Sequence, residues 1–211
     1  MKFKNAQKAF EYLYDKINIE GCNFGNTKAL FNVGFFITNP LENSIKTDFR
    51  RFNLKYAKRE WEWYLSCNPN AEEISKYAPI WKNHMDENGE VRSNYGWQWN
   101  RGMQLDKILD KLLINKNSRQ AVLSIYDGKE ISTYDYDTPC TNSIHFQIVN
   151  DELCMTVNMR SNDLWFGFCN DQFCFSKLQE HVANTLNIKL GWYFHFASNL
   201  HLYNKFLNKN N

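Results

Sequence analysis

The chain has 211 residues, 43% of them hydrophobic and 16% aromatic, which suits one domain (1–211) with room for a sizeable core. Lys and Arg number 25 against 23 Asp and Glu, a net charge of +2. That balance speaks against a dedicated nucleic-acid or membrane-surface binder, whose basic surplus is larger and clustered. A small anionic substrate, served by a few cations, remains compatible.

The elements follow in chain order. Phe3, Ala6, Phe10, Leu13, Tyr14 and Ile17 recur at helical spacing with Lys and Glu between them, which predicts an amphipathic helix over residues 3–17. The opening stretch, MKFKNAQKAFEYLY, has no signal-like apolar run, and no later segment reaches membrane-spanning length. Gly21 and Gly25 punctuate a turn before a buried strand over Ala29–Thr38. Arg50–Ser66 reads as a helix carrying Phe52, Tyr56, Trp63 and Tyr64, and residues 68–100 read as loop-rich because Pro69, Pro79 and Gly89 interrupt them. A helix is predicted over Leu105–Ile114, and strands over Ala121–Tyr126, Ser143–Val149 and Leu153–Met159, the last two joined by a turn at Asn150–Asp151. A helix over Gln172–Leu186 and a strand over Trp192–Ala197 complete a mixed α+β pattern without repeat or linker.

Six cysteines form neither a C-x-x-C pair nor a zinc-like spacing with His, so free thiols in a reducing, cytoplasmic setting are expected and no metal site is. Glycine-rich phosphate loops, H-E-x-x-H and EF-hand patterns are missing. Chemistry must come from less generic clusters. Pro139-Cys140-Thr141-Asn142 sets a cysteine at a loop-to-strand junction, either a nucleophile aimed into a cleft or a buried inert thiol. Asn158-Met159-Arg160-Ser161-Asn162-Asp163 leads into Phe166-Gly167-Phe168-Cys169-Asn170-Asp171. There Arg160 and Ser161 can hold a phosphate, and Arg160 can lower the pKa of Cys140; the same residues also suit a solvated, helix-capping loop. His201 and Tyr203, two apart on an extended chain, share a face and can grip one hydroxyl.

Taken together and in order, these clusters resemble the thymidylate synthase family. The likeness runs from the opening helix through Glu60–Leu65 (EWEWYL), Ile80-Trp81, Asn94-Tyr95-Gly96, Ser118-Arg119 and Pro139-Cys140 to the Arg160-Ser161 run and His201-Leu202-Tyr203. Thr141-Asn142 after the cysteine, VNMRSND at Val157–Asp163, FGF-x-ND at Phe166–Asp171 and Trp97 after Gly96 are similar to the family's T-even phage branch, the deoxycytidylate hydroxymethylases. The resemblance implies one mixed sheet packed with helices, and a homodimer built on a sheet face. It implies a reaction between dCMP and 5,10-methylenetetrahydrofolate in a cytoplasm, that of a phage-infected bacterium being one setting, with no direct nucleic-acid or membrane binding.

The implied roles follow residue by residue. Cys140 would attack ring carbon 6, Glu60 would manage proton transfers through water, and Tyr95 would lie beside the nucleophile. Trp81, with Ile80, would line the folate side of the cleft, near Asp163 and Gly167. An ionised Asp171 would accept from cytosine's amino group and repel uracil's carbonyl. Arg160 and Ser161 would hold the phosphate, joined by Arg119 from the partner subunit; His201 and Tyr203 would hold the sugar hydroxyl, and Asn170 or Asp163 would tie the pocket together. Three departures accompany these expectations. Gln120 stands where a second donated arginine is usual, Lys28 is the nearest cation to the missing early-loop arginine, and ten residues follow His201, fewer than a folate-closing tail needs. A compact thymidylate synthase, a CMP hydroxymethylase and a nucleotide-binding relic of the fold remain as alternatives.

Overall fold

The computed structural model describes residues 1–134 and 137–210. Asn5 opens the first helix, α1 (Ala6–Glu20), its side chain accepting from the Lys8 amide at 3.0 Å. Of the stripe expected from the sequence, Ala6, Phe10, Leu13, Tyr14 and Ile17 are buried on the inward face together with Ala9, while Phe3 lies before the helix in a two-residue strand. Each large apolar side chain removed from water in this way contributes about 2 kcal/mol.

Among the described residues eight strands form one mixed sheet: β1 (Lys2–Phe3), β2 (Cys22–Phe24), β3 (Thr27–Ile37), β4 (Val122–Ser124), β5 (Thr141–Val149), β6 (Glu152–Met159), β7 (Asn162–Asp163) and β8 (Lys189–Tyr203). Their order is β1-β3-β8-β6-β5-β4, with β2 added to β3 and β7 to β8. β8 pairs antiparallel with β3 and parallel with β6, while β4, β5 and β6 run antiparallel. The predicted hairpin turn is present. Asn150 and Asp151 both take left-handed φ values, 52° and 60°, which those two residue types tolerate and a two-residue hairpin needs.

The remaining helices are α2 (Leu54–Leu65), α3 (Glu72–Ser75), α4 (Tyr95–Asn100), α5 (Gln104–Ile114) and α6 (Cys169–Leu186). Helices and sheet share one contiguous buried cluster, running from Phe10 through Tyr64 and Phe146 to Phe175 and Tyr193. Among the described residues no helix is long and apolar enough to cross a membrane.

Four expectations need correction. The last strand extends over Lys189–Tyr203 rather than stopping at Ala197, so His201 and Tyr203 lie on it. α2 starts at Leu54 rather than Arg50, because the Asn53 side chain accepts from the Tyr56 amide at 3.0 Å and ends the preceding loop. α6 starts at Cys169 rather than Gln172, which puts Asp171 inside its first turn. The segment read as loop contains α3, α4 and a 3-10 turn at Pro79–Asn83. Gly96 makes α4 a poor helix by propensity, yet a Cβ there would lie 1.8 Å from the Tyr64 carbonyl oxygen. Only glycine lets α4 seat on the end of α2, and that contact carries Tyr95 to its place.

Candidate active site

A cleft of about 1090 Å³ opens where the start of β5, β7 and the end of β8 meet α2, α4 and the first turn of α6. Glu60, Ile80, Trp81, Tyr95, Cys140, Ser161, Asp163, Gly167, Asn170, Asp171, His201 and Tyr203 all border it. These positions span more than 140 residues of sequence, and folding brings them to one hollow large enough for a mononucleotide with a second ring system beside it.

Glu60 is carried by the inner face of α2, with Ala57 and Tyr64 one turn to either side, all buried. Tyr56, one turn earlier, donates its hydroxyl to Glu60 Oε1 at 2.6 Å, and Trp81 Nε1 donates to the Tyr56 hydroxyl at 2.8 Å. Burial raises the Glu60 pKa from 4.5 to about 7, against the lowering pull of Tyr56, Tyr64 and Cys174. A carboxyl so tuned exchanges protons readily near neutral pH. Trp81 also packs edge-on against Trp63, at 5.1 Å between centroids, forming an apolar wall beside the proton-handling group.

Cys140 lies directly before β5. Arg160 sits opposite, donating from Nε to the Pro139 carbonyl at 2.9 Å and from Nη2 to the Thr138 carbonyl at 2.8 Å, with Nη2 3.8 Å from Cys140 Sγ. Arg160 is exposed and does not border the cleft; its guanidinium clamps the loop that presents the sulfur. Arg160 does lower the pKa of Cys140 by its charge, as expected, but burial dominates and Asp171, Asp137 and Asp163 add to it, so the thiol is pushed up to about 11. At rest Cys140 is a thiol.

Asp171 is enclosed at the floor. Asn162 Nδ2 donates to its Oδ2 at 2.8 Å. Burial first and then the Glu60 charge hold its pKa well above the ordinary carboxylate range, which favours the neutral acid. That shift runs against the expectation of an ionised, acceptor-only carboxylate. Asp163 accepts from the Trp165 and Phe166 amides, both at 3.0 Å, and thereby caps the π turn over Leu164–Phe168. Its capping and its place in the cleft wall hold together. His201 and Tyr203 stand on one face of β8, rings 5.5 Å apart, while Leu200 and Leu202 beside them are fully buried. His201 Nδ1 lies 3.0 Å from Asn199 Oδ1, and burial lowers the pKa of the ring.

Two cations singled out in the sequence lie away from the cleft of their own chain. Arg119 is exposed on the loop before β4 and is not among the residues bordering the cleft. Lys28 donates to the Asn18 carbonyl at 3.0 Å and does not border it either. The cations that do are Arg50, Arg51 and Lys205. Of these, Arg50 is consumed by the fold: Nε donates to the Trp165 carbonyl at 2.7 Å, Nη1 to the Arg51 carbonyl at 2.5 Å, and the guanidinium lies 5.3 Å from the Phe166 centroid.

Sequence reasoning also missed a polar group on the Cys140 side. Ser93 donates to Asp137, and His84 Nδ1 lies 3.5 Å from the other Asp137 oxygen. Tyr56 and Asn162 were missed as partners of the two key carboxyls. For Tyr56 a signal existed, since residues 56 and 60 lie four apart on a helix.

A sequence-family model described as thymidylate synthase matches residues 26–211. The Enterobacteria phage T4 deoxycytidylate 5-hydroxymethyltransferase is 32% identical over 217 residues, covering 95% of this chain and 82% of its own. The Pseudomonas phage M6 deoxyuridylate hydroxymethyltransferase is 32% identical over 220 residues, covering 99% of this chain and 63% of its own. The protein of that name from Delftia phage PhiW-14 is 28% identical, with 88% and 56% covered. The chain thus spans less than two thirds of the length of these two deoxyuridylate relatives.

Proposed function

The chain belongs to the thymidylate synthase family, and from that premise we propose that it is a deoxycytidylate 5-hydroxymethyltransferase using 5,10-methylenetetrahydrofolate. One observation carries the reading: a buried acid poised near neutrality (Glu60), a cysteine (Cys140) and a carboxyl whose burial favours its protonated form (Asp171) border a single cleft walled by aromatic rings.

The steps follow from these groups. The Cys140 sulfur bonds to carbon 6 of the pyrimidine as its thiol proton departs, and electron density moves to carbon 5. Carbon 5 then takes up the methylene unit, which the folate supplies at the oxidation level of formaldehyde. The hydrogen on carbon 5 leaves as a proton, and Glu60, with Tyr56 holding its Oε1, is the acid–base group that handles such transfers. Once tetrahydrofolate has gone, water adds to the exocyclic carbon, and the C6–S bond breaks to return the cysteine. The net change is dCMP, methylenetetrahydrofolate and water to 5-hydroxymethyl-dCMP and tetrahydrofolate.

The residues present suit both ligands. Ile80, Trp81 and Phe166 offer apolar area for a folate ring system, while Arg51, Lys205 and Ser161 offer a cation-and-hydroxyl set for a phosphate. His201 and Tyr203 would take the sugar hydroxyl, with Asn170 and Asp163 between sugar and base. Arg119 requires a second subunit to reach a phosphate. A half-buried row of aromatics on the sheet, Phe36 with Trp192 and Phe194 at 5.2 and 4.7 Å, is a candidate dimer face. The setting we propose is the cytoplasm of a phage-infected bacterium.

A specific observation keeps dUMP as the second reading. Burial favours a protonated Asp171, which can donate as well as accept, so charge alone does not exclude uracil. The test is tritium release from carbon 5 of dCMP and dUMP side by side, with mass spectrometry of the products. We expect 5-hydroxymethyl-dCMP. Methylated dUMP as the sole product would overturn the water-addition step; tight dCMP binding with no tritium release would point to a catalytically silent relative.

A further inference from the structure

Behind the carboxyl of Asp171 runs a chain of hydrogen bonds that the proposed reaction does not use. The Tyr193 hydroxyl lies 2.7 Å from His195 Nδ1, His195 Nε2 lies 3.0 Å from Asn162 Oδ1, and Asn162 Nδ2 donates to Asp171 Oδ2 at 2.8 Å. Tyr193 and His195 have no solvent exposure and Asn162 has 1%. An amide oxygen only accepts, so His195 must carry its proton on Nε2. Burial pushes the His195 pKa down to about 3 and keeps the ring neutral, leaving Nδ1 to accept from Tyr193. Each donor therefore points toward Asp171, and the polarity of the whole chain is set. Gly167 leaves the space for it: a Cβ there would stand 3.1 Å from Asn162 Nδ2 and 3.5 Å from Asp171 Oδ2.

We propose that Asn162, His195 and Tyr193 are positioning residues that decide which pyrimidine Asp171 accepts, by holding Oδ2 as an acceptor and leaving Oδ1 to carry the acid proton. The inference rests on the reading of Asp171 as the group that contacts the base. A free carboxylic acid is ambidextrous. With its proton on one oxygen it pairs with cytosine, which offers a bare ring nitrogen 3 and an amino group; with the proton on the other it pairs with uracil, which offers N–H and a carbonyl. Here Oδ2 already receives an N–H from Asn162. Moving the acid proton onto that oxygen would leave Asn162 only the weaker acceptor of a hydroxyl oxygen in a dry site, where a poorly met polar group is costly. With Oδ1–H addressing nitrogen 3 and Oδ2 taking an amino hydrogen, cytosine makes two matched bonds. Uracil in the same pose brings N–H against O–H and a carbonyl against Oδ2. Tyr193 and His195 do not border the cleft, so they act on the base only through Asn162 and Asp171.

The test compares wild type with Tyr193→Phe, His195→Phe and His195→Gln, reading kcat/KM for tritium release from dCMP and from dUMP. The ratio of the two cancels any difference in folded fraction. Wild type is expected to favour dCMP. Tyr193→Phe and His195→Phe should lower that preference about tenfold, equivalent to about 1.4 kcal/mol. His195→Gln keeps a donor for Asn162 and should retain it. Equal losses for both nucleotides, or a wild-type preference for dUMP, would overturn the assignment. Should wild type release tritium from neither nucleotide, the functional reading fails. The same ratio is then read from calorimetric affinities for dCMP and dUMP, where an unchanged ratio in the variants, or no binding of either, overturns the inference.

Discussion

Replacing Glu60 by Gln isolates the cost of keeping an acid in a dry place. In the unfolded chain this carboxyl titrates at an ordinary 4.5; in the fold, burial raises it to about 7. Between those two values the native state holds a proton that the unfolded chain has released. Stability therefore falls as pH rises through this window, and the full cost is present above pH 7. The separation of two and a half pH units corresponds to about 3 kcal/mol at about 1.4 kcal/mol per unit. Gln is a near-isosteric stand-in for the neutral acid, and its amide oxygen can still accept from Tyr56. Urea unfolding of wild type and Glu60→Gln at intervals from pH 4 to pH 8 should give equal stabilities at the acid end. The variant should then gain a growing advantage, approaching about 3 kcal/mol at pH 8. Groups that do not feel the Glu60 charge cancel in the difference, while relief of Asp171 from that charge adds to the variant's advantage at high pH. Turnover should fall about 100-fold or more, the usual worth of a general acid–base group. A stability difference independent of pH, or a variant less stable at pH 8, would refute the raised pKa and with it the poise assigned to Glu60.

Three further outcomes are expected. With its thiol pushed up to about 11, Cys140 should be alkylated by iodoacetamide more slowly than the exposed Cys22 at pH 7.5, its rate rising about tenfold per pH unit toward that value, as mass spectrometry of the modified peptides would show. Gly96→Ala must part α4 from α2, since its Cβ would lie 1.8 Å from the Tyr64 oxygen; a loss of about 3 kcal/mol or more is expected in urea unfolding. If Arg119 reaches the phosphate of a neighbouring subunit, mixing inactive Cys140→Ser with impaired Arg119→Ala should restore turnover, because one of the two sites in the mixed dimer regains both groups. A mixture no more active than its parts would count against the donation.

Local chemistry made much of the fold legible. The helical spacing from Phe3 to Ile17, the β-branched runs on either side of Asn150–Asp151 and the ordered clusters around Cys140, Arg160 and His201 each rest on near neighbours. So do the identities of the groups that handle protons and sulfur. What stayed hidden depends on approach between distant segments. Gly96 hides a helix because its value lies in a contact with Tyr64, and the polar residues near the end of β8 disguise a strand held by pairing with β3. By itself the sequence carried the family pattern, and through that resemblance it named candidates for nucleophile, acid and base-facing carboxyl, since residue type states what chemistry a group can offer. Tertiary structure alone decided the protonation of those groups and the partner of each. It biases Asp171 toward the neutral acid, keeps Cys140 a thiol, makes Arg160 a clamp, and joins Tyr193 and His195 to a carboxyl elsewhere in the chain. Desolvation and hydrogen-bond direction belong to three-dimensional surroundings, and no stretch of chain read in isolation contains them.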